Sequence, residues 1–351
     1  MGQNITKPVD DITAQLDNWS ISIRLDKREA AATIHEYLKS FINDFSTDTL
    51  IKYTLLESRF YLMQKDLVNS AVAIDNAKTY LDHFHDIHRH YLHLAEGILF
   101  YDEKRYQDAL HCFEKAEKYL NQLQDSVEIG EFHLRKAMTY YFLDITTLSA
   151  LHAERAIEAL KPYKTFEFLL ARAEMLQGMN YMDLQDFELS EEHLHKALIS
   201  YKNIDNQYFI TTTNLNLGLL YVQRELPEAA IRYLEEARKN KQERIHLKIL
   251  YLLADSYWKT NHPSKAMEAY TEGFQKSIDT DDLTMKWEFA MLHKKFEDRV
   301  NYESVWQEGI EYFRKVNDLF NVRLYSKELA LHYTETKQYE LATRYYLLAS
   351  I

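Results

Sequence analysis

Five histidines, His83, His85, His88, His90 and His93, crowd into one short stretch of this chain. Two neutral imidazoles three or four residues apart on a helix can share a transition metal. No cysteine and no well-placed carboxylate completes a tetrahedral set around them, so the run is expected to be a solvated hinge, and neither a metal nor a cofactor is assigned. Asp183 and Asn216 carry a different chemistry. A side-chain amide can donate to a carbonyl and accept from an N–H of one extended peptide, and a carboxylate can pair with a basic peptide side chain. Asn180, three residues before Asp183, shares its helical face. Taken alone these residues also fit a plainer account, in which Asp183 ends a helix and Asn216 bonds a neighbouring one. No glycine-rich phosphate loop, HExxH helix or nucleophile elbow occurs.

The elements that must position these residues are helices. The 351 residues contain seven Gly and four Pro, a composition that favours long helices with short joints. A net charge of −12 argues against a nucleic-acid surface and for a cationic ligand. The single Cys112 leaves no disulfide framework and points to a reducing cytoplasm. No stretch has the roughly 18 uncharged apolar residues of a membrane span.

A small residue followed three places later by an aromatic recurs at Gly97/Phe100, Ala137/Tyr140, Gly178/Tyr181, Gly218/Tyr221, Ala254/Tyr257 and Ala330/Tyr333. Each is followed by a second small residue at Ala109, Ser149, Ser190, Ala230, Ala266 or Ala342, and Pro227 and Pro263 stand where second helices should begin. This is the tetratricopeptide (TPR) frame, in which small residues let paired helices cross closely. A degenerate unit with Trp287 and Trp306 as packing residues is expected near Ala290. Residues before about 85 are read as helices outside the frame, over Ile12–Leu25, Lys27–Phe41, Asp48–Met63 and Asp66–Phe84, with Asp48 as an N-cap. The expected fold is therefore all-α: an N-terminal helical bundle (1–85) followed by a right-handed TPR superhelix of about seven helix pairs (86–351). Leu347, Leu348 and Ile351 call for a covering surface, for which a homodimer is one possibility.

Within that frame, Leu16-Asp-Asn-Trp19, Lys52-Tyr-Thr-Leu-Leu-Glu-Ser-Arg59, Glu128-Ile-Gly-Glu-Phe132, Asn180-Tyr-Met-Asp-Leu184 and Asn216-Leu-Gly218 occur in an order that resembles the Rap family. These are the TPR-containing, peptide-regulated response regulator aspartate phosphatases of spore-forming bacteria. The resemblance implies a quorum-sensing regulator in sporulation or competence. Its N-terminal helices would dock a response regulator or its DNA-binding domain, here through Thr47, Tyr53, Leu55 and Arg59. Its TPR groove would bind a short signal peptide through Asp183, Asn216 and Asn180. Phosphatase members use a Gln whose amide orients water toward phosphorus. At that place this chain has Thr47, with Phe45 at the accompanying acidic place and no Gln between Asn43 and Lys52.

Overall fold

Eighteen α-helices and no strand are found among the described residues, which in this computed structural model are 8–240, 243–297 and 301–350. The helices run in consecutive pairs: α1 (Pro8–Arg24) with α2 (Arg28–Lys39), α3 (Thr47–Met63) with α4 (Leu67–Lys78), and α5 (Asp86–Asp102) with α6 (Tyr106–Glu117). Next come α7 (Ser126–Phe142) with α8 (Thr146–Leu160), α9 (Glu167–Asp183) with α10 (Phe187–Asn203), and α11 (Gln207–Gln223) with α12 (Pro227–Arg238). The series ends with α13 (Glu243–Lys259) and α14 (Pro263–Asp279), α15 (Leu283–Phe296) and α16 (Tyr302–Lys315), and α17 (Leu319–Glu335) and α18 (Tyr339–Ala349). The all-α TPR fold expected from the repeat is the one observed.

Close crossing explains the anchors. A Cβ built on Gly97 would lie 2.5 Å from the Phe113 ring, one on Gly178 2.7 Å from Leu194 Cγ, and one on Gly218 2.5 Å from a Leu234 methyl. Each clash comes from the second helix of the same pair, so a side chain at any of these places would push the pair apart. The second small residues Ala109, Ser149, Ser190, Ala230 and Ala266 are fully buried. Pro227 and Pro263 open α12 and α14 at positions where no N–H is needed.

Seven of the turns within pairs are Schellman-type closures. The N–H of Asp66, Arg105, Ile145, Asp186, Leu226, His262 or Gln338 donates, at 2.8 to 3.0 Å, to the carbonyl of the frame tyrosine or phenylalanine. The intervening residues Lys65, Lys104, Asp144, Gln185, Glu225, Asn261 and Lys337 are left-handed. Most first helices, α3, α5, α7 and α9 among them, are 17 residues long, which explains a repeat longer than the common 34.

Three expectations are corrected. The frame does not start at residue 85: Ser58, Ser70, Ile74 and Ala77 are buried at the same offsets in α3 and α4, around the left-handed Lys65. Serine at the crossing had hidden this pair. The N-cap of α3 is Ser46, whose side chain accepts from the Thr49 N–H, and Asp48 lies in the first turn. The fourth helix stops at Lys78, before a 3-10 turn over Leu81–His83. In the degenerate pair, α15 and α16, the crossing is held by Trp306, 1% exposed and donating to the Met291 carbonyl at 3.0 Å, while Trp287 packs at the edge of the same cluster.

The chain divides into two compact units, Met1–Asn206 and Gln207–Ile351. In the first, Ile51 and Leu55 of α3 share one core with Leu92, Leu94 and Ile98 of α5, so packing runs without a break across residue 85. Successive pairs of this unit are joined by 3-10 turns at Ile42–Asp44, Leu81–His83, Leu120–Gln122 and Lys164–Phe166. The second unit has its own cores, one around Leu234, Leu250 and Phe289 and one around Trp306, Phe313 and Tyr333. Leu347 is 66% exposed and Leu348 packs against the latter core, while Ile351 lies outside the described residues.

Candidate functional site

In the first unit, the first helices bring charged side chains together at a wall that the sequence does not announce. The N-cap of α7, Asp125, accepts from the Val127 N–H at 2.8 Å and from Arg24 at 3.0 Å. Arg24 also donates to Glu128, to which the Tyr91 hydroxyl donates as well. One turn further along α7, both Glu131 oxygens accept from Arg59 at 2.7 Å, and Arg135 stands 3.6 Å away. Burial alone would push the Glu131 carboxyl up. Arg59, Arg135 and Arg24 outweigh it and bring it down to about 2. Beside this network lies a cavity of about 550 Å³, lined by Leu55, Leu56, Val127 and Phe166 together with Arg24 and Arg59.

The expected docking residues separate here. Leu55 and Arg59 line the cavity. Thr47 is exposed in the first turn of α3, away from the cavity lining. Tyr53 is not a surface residue: it is 1% exposed, packed among Trp19, His35 and Phe45, and its hydroxyl donates to Glu57 at 2.9 Å. An amphipathic pattern does not tell which apolar stripe faces a second helix, and here Tyr53 took the core side.

The candidate peptide residues also differ from one another. Asp183, the last residue of α9, is exposed and accepts from the Tyr141 hydroxyl; burial of its neighbourhood and the charge of Asp144 raise its carboxyl above the ordinary range. Asn180 is inaccessible. It is 0% exposed, its amide donates to Gln177 at 3.4 Å and its oxygen has no partner among the described residues. Asn216, in α11 of the second unit, is 9% exposed, and its Nδ2 is buried without a hydrogen-bond partner among the described residues.

The histidine run is not a solvated hinge. His88 and His90 are buried on α5, His90 Nδ1 meets the Ala116 carbonyl at 2.9 Å, and His93 meets Glu96 at 3.0 Å. Burial lowers the pKa of both His88 and His90. Among the described residues no three His, Cys, Asp or Glu side chains are grouped to hold a metal. Burial also pushes the Cys112 thiol up to about 11.

The second unit has its own buried polar cluster. Glu288 of α15 accepts from Asn321 at 3.2 Å and meets Lys248 at 3.5 Å, while the hydroxyls of Tyr251 and Tyr325 lie 3.2 Å apart. Burial raises the Glu288 carboxyl, against the pull of Lys248. Among the described residues no helix is long and apolar enough to cross a membrane.

Fold and frame define a helical-repeat protein of the TPR class, and the tetratricopeptide repeat family models match residues 169–243 and 247–275. The relatives are more specific. Regulatory protein RapG of Bacillus subtilis (strain 168) is 24% identical over 271 residues, covering 76% of this chain and 74% of that protein. Response regulator aspartate phosphatase I of the same organism is 23% identical over an alignment of 355 residues, covering 97% and 90%. A solved Rap protein complexed with Competence and Sporulation Factor superimposes with a TM-score of 0.76 at 20% identity, covering 98% of this chain and 97% of that one. The chain is similar to Rap proteins along nearly its whole length.

Proposed function

We propose that this chain is a Rap-like quorum-sensing regulator of the cytoplasm. It binds a short signal peptide on its TPR helices and inhibits a response regulator docked on its N-terminal helices. In this reading residues 1–85 dock the regulator or its DNA-binding domain and residues 86–351 form the peptide-binding array. The observation that carries the peptide half is Asn216. A buried amide donor without a partner costs about 1–3 kcal/mol, and a peptide carbonyl relieves that cost. Asp183 supplies an exposed carboxylate for a basic peptide side chain. Support for the partners comes from relatives whose descriptions name a response regulator phosphatase and a complex with a signalling factor.

A second reading, binding of the regulator without hydrolysis, is favoured by Thr47. Its hydroxyl is exposed at the start of α3, but it carries no amide to orient water. Titration calorimetry of short synthetic peptides against the wild type, Asn216→Ala and Asp183→Ala tests the first half. Binding is expected to disappear in both variants while circular dichroism stays unchanged, and unchanged affinity in both would discard the assignment. Decay of a phosphorylated response regulator, compared between the wild type and Thr47→Gln, tests the second half. Faster decay with the variant supports a chain that binds without hydrolysing, and rapid decay with the wild type refutes it.

A further inference from the structure

The cavity of the first unit, about 550 Å³, has the size of pockets that take a small organic molecule, roughly 300–1,000 Å³. Its wall is mainly apolar. Ile21 comes from α1, Leu55 and Leu56 from α3, Ile87 from α5 and Val127 from α7, and Phe166 joins them from the 3-10 turn before α9.

The polar groups of the lining are almost all spent on one another. Lys52 donates to Asp17 at 2.7 Å and Arg59 to Glu131 at 2.7 Å. Arg24 gives Nη1 to Asp125 at 3.0 Å, and Nη2 to Ser20 at 3.0 Å and to Glu128, which also takes the Tyr91 hydroxyl. The His88 ring accepts the His85 N–H at Nδ1, 3.3 Å away, and its Nε2 faces Asp48 at 3.4 Å. Because each of these charges already has its counter-charge, a ligand with a net charge would have to break a pair or be buried uncompensated. One donor is left over. Arg24 is 7% exposed, and its Nε is the one buried polar atom of the lining without a hydrogen-bond partner among the described residues. A buried donor of a charged group is costly to leave unmet, and the aliphatic wall offers it no acceptor.

We propose that this cavity binds a neutral, largely apolar small molecule through a single carbonyl oxygen that accepts from Arg24 Nε. The apolar body of the ligand covers the aliphatic wall, and its carbonyl meets the remaining donor. A carboxylate is the poorer match, since the Arg24 charge is already offset by Asp125 and Glu128. The occupant touches α1 and α3, the helices assigned above to docking, and α5 and α7 of the array at once, so it is an input separate from the signal peptide. The site itself stands whether or not the peptide reading does.

The test uses the full chain and three naphthalene dyes of similar shape. Prodan is neutral and carries a ketone, its parent dimethylaminonaphthalene lacks the ketone, and dimethylaminonaphthoic acid carries a carboxylate instead. Fluorescence titration is expected to show saturable prodan binding at one site per chain, with at least tenfold weaker binding of the other two dyes. Absence of saturable prodan binding overturns the site, and equal or tighter binding of the ketone-free or the acidic dye overturns the ligand class. Ile21 lines the cavity from α1 and is 40% exposed, so Ile21→Trp fills the space without disturbing the core. It is expected to weaken prodan at least tenfold, and undiminished affinity means that the dye sits elsewhere and overturns the site. Arg24→Lys keeps a cation for Asp125 and Glu128 but removes Nε, and is expected to bring prodan down to the affinity of the ketone-free dye; undiminished affinity overturns the hydrogen bond. If Arg24→Lys does not fold, the comparison of prodan with the ketone-free dye on the wild type decides the same point.

Discussion

Glu131 in the first unit and Glu288 in the second occupy one place in the repeat, six residues after the N-caps Asp125 and Asp282, and both are buried. Their acidities move in opposite directions. Glu131 receives two hydrogen bonds from Arg59 and the field of Arg135 and Arg24, and its carboxyl falls to about 2. Glu288 has one lysine at 3.5 Å and one amide at 3.2 Å, with Asp318 adding repulsion, and burial raises it. The frame fixes where a first helix puts a carboxylate. The residues sent from neighbouring helices fix whether that carboxylate is a stabilising anion or a costly one.

The largest effect is expected from removing the cation that makes this difference. Arg59→Met leaves Glu131 buried without its two hydrogen bonds and should cost about 3–5 kcal/mol of stability, read as a shift of the denaturant midpoint. Glu131→Leu added to Arg59→Met should recover most of the loss, because no uncompensated charge then remains. A loss below about 1 kcal/mol for the single variant would mean that the pair does not set the Glu131 environment.

Acid should act on the same carboxylate. A folded-state pKa depressed from 4.5 to about 2 adds stability above the unfolded value, and that stability is lost as pH falls through the folded one. The contribution is on the order of 3 kcal/mol, lost between about pH 4.5 and 2. His133 and His152, whose Nδ1 atoms lie 3.0 Å apart, are held down to about 4 mainly by burial, so their protonation costs further stability between pH 6.5 and 4. Unfolding followed at several pH values in Glu131→Gln should lose the lower of these two phases and keep the upper one.

How far such differences are legible in sequence depends on what each residue reports. Gly97, Gly178 and Gly218 mark their crossings conspicuously, because glycine inside a helix is costly and stands there only where the helices approach closely. Ser58 meets the same demand less conspicuously, since serine is common on helix surfaces and does not by itself mark a crossing. Asn180 and Tyr53 lie on the expected helices but on their buried sides, because the frame tells which helix carries a residue and not what faces it. Arg24 and Glu131 are far apart in sequence and ordinary in type, and nothing local marks them as neighbours. Gly97→Ala and Gly218→Ala test the legible part equally in both units. Each drives a methyl into a second-helix side chain at 2.5 Å, and the overpacking should cost roughly 1–3 kcal/mol despite a gain in helix propensity of about 1 kcal/mol. A neutral result in either unit would mean that its helices separate cheaply.

The smallest expected effect has the opposite sign and sharpens the comparison most. A carboxyl whose folded pKa lies above its unfolded value contributes its stability fully below about pH 4.5, and loses it as pH rises through the folded value. Glu288→Gln keeps an amide oxygen for Asn321 and needs no charge, so at pH 7 to 8 it should stabilise the chain, by on the order of 1 kcal/mol, with the gain vanishing in mild acid. Glu131→Gln at the same pH should destabilise it. If both variants lose stability at pH 7, Lys248 alone supports Glu288 as well as the arginines support Glu131, and the contrast between the two units does not hold.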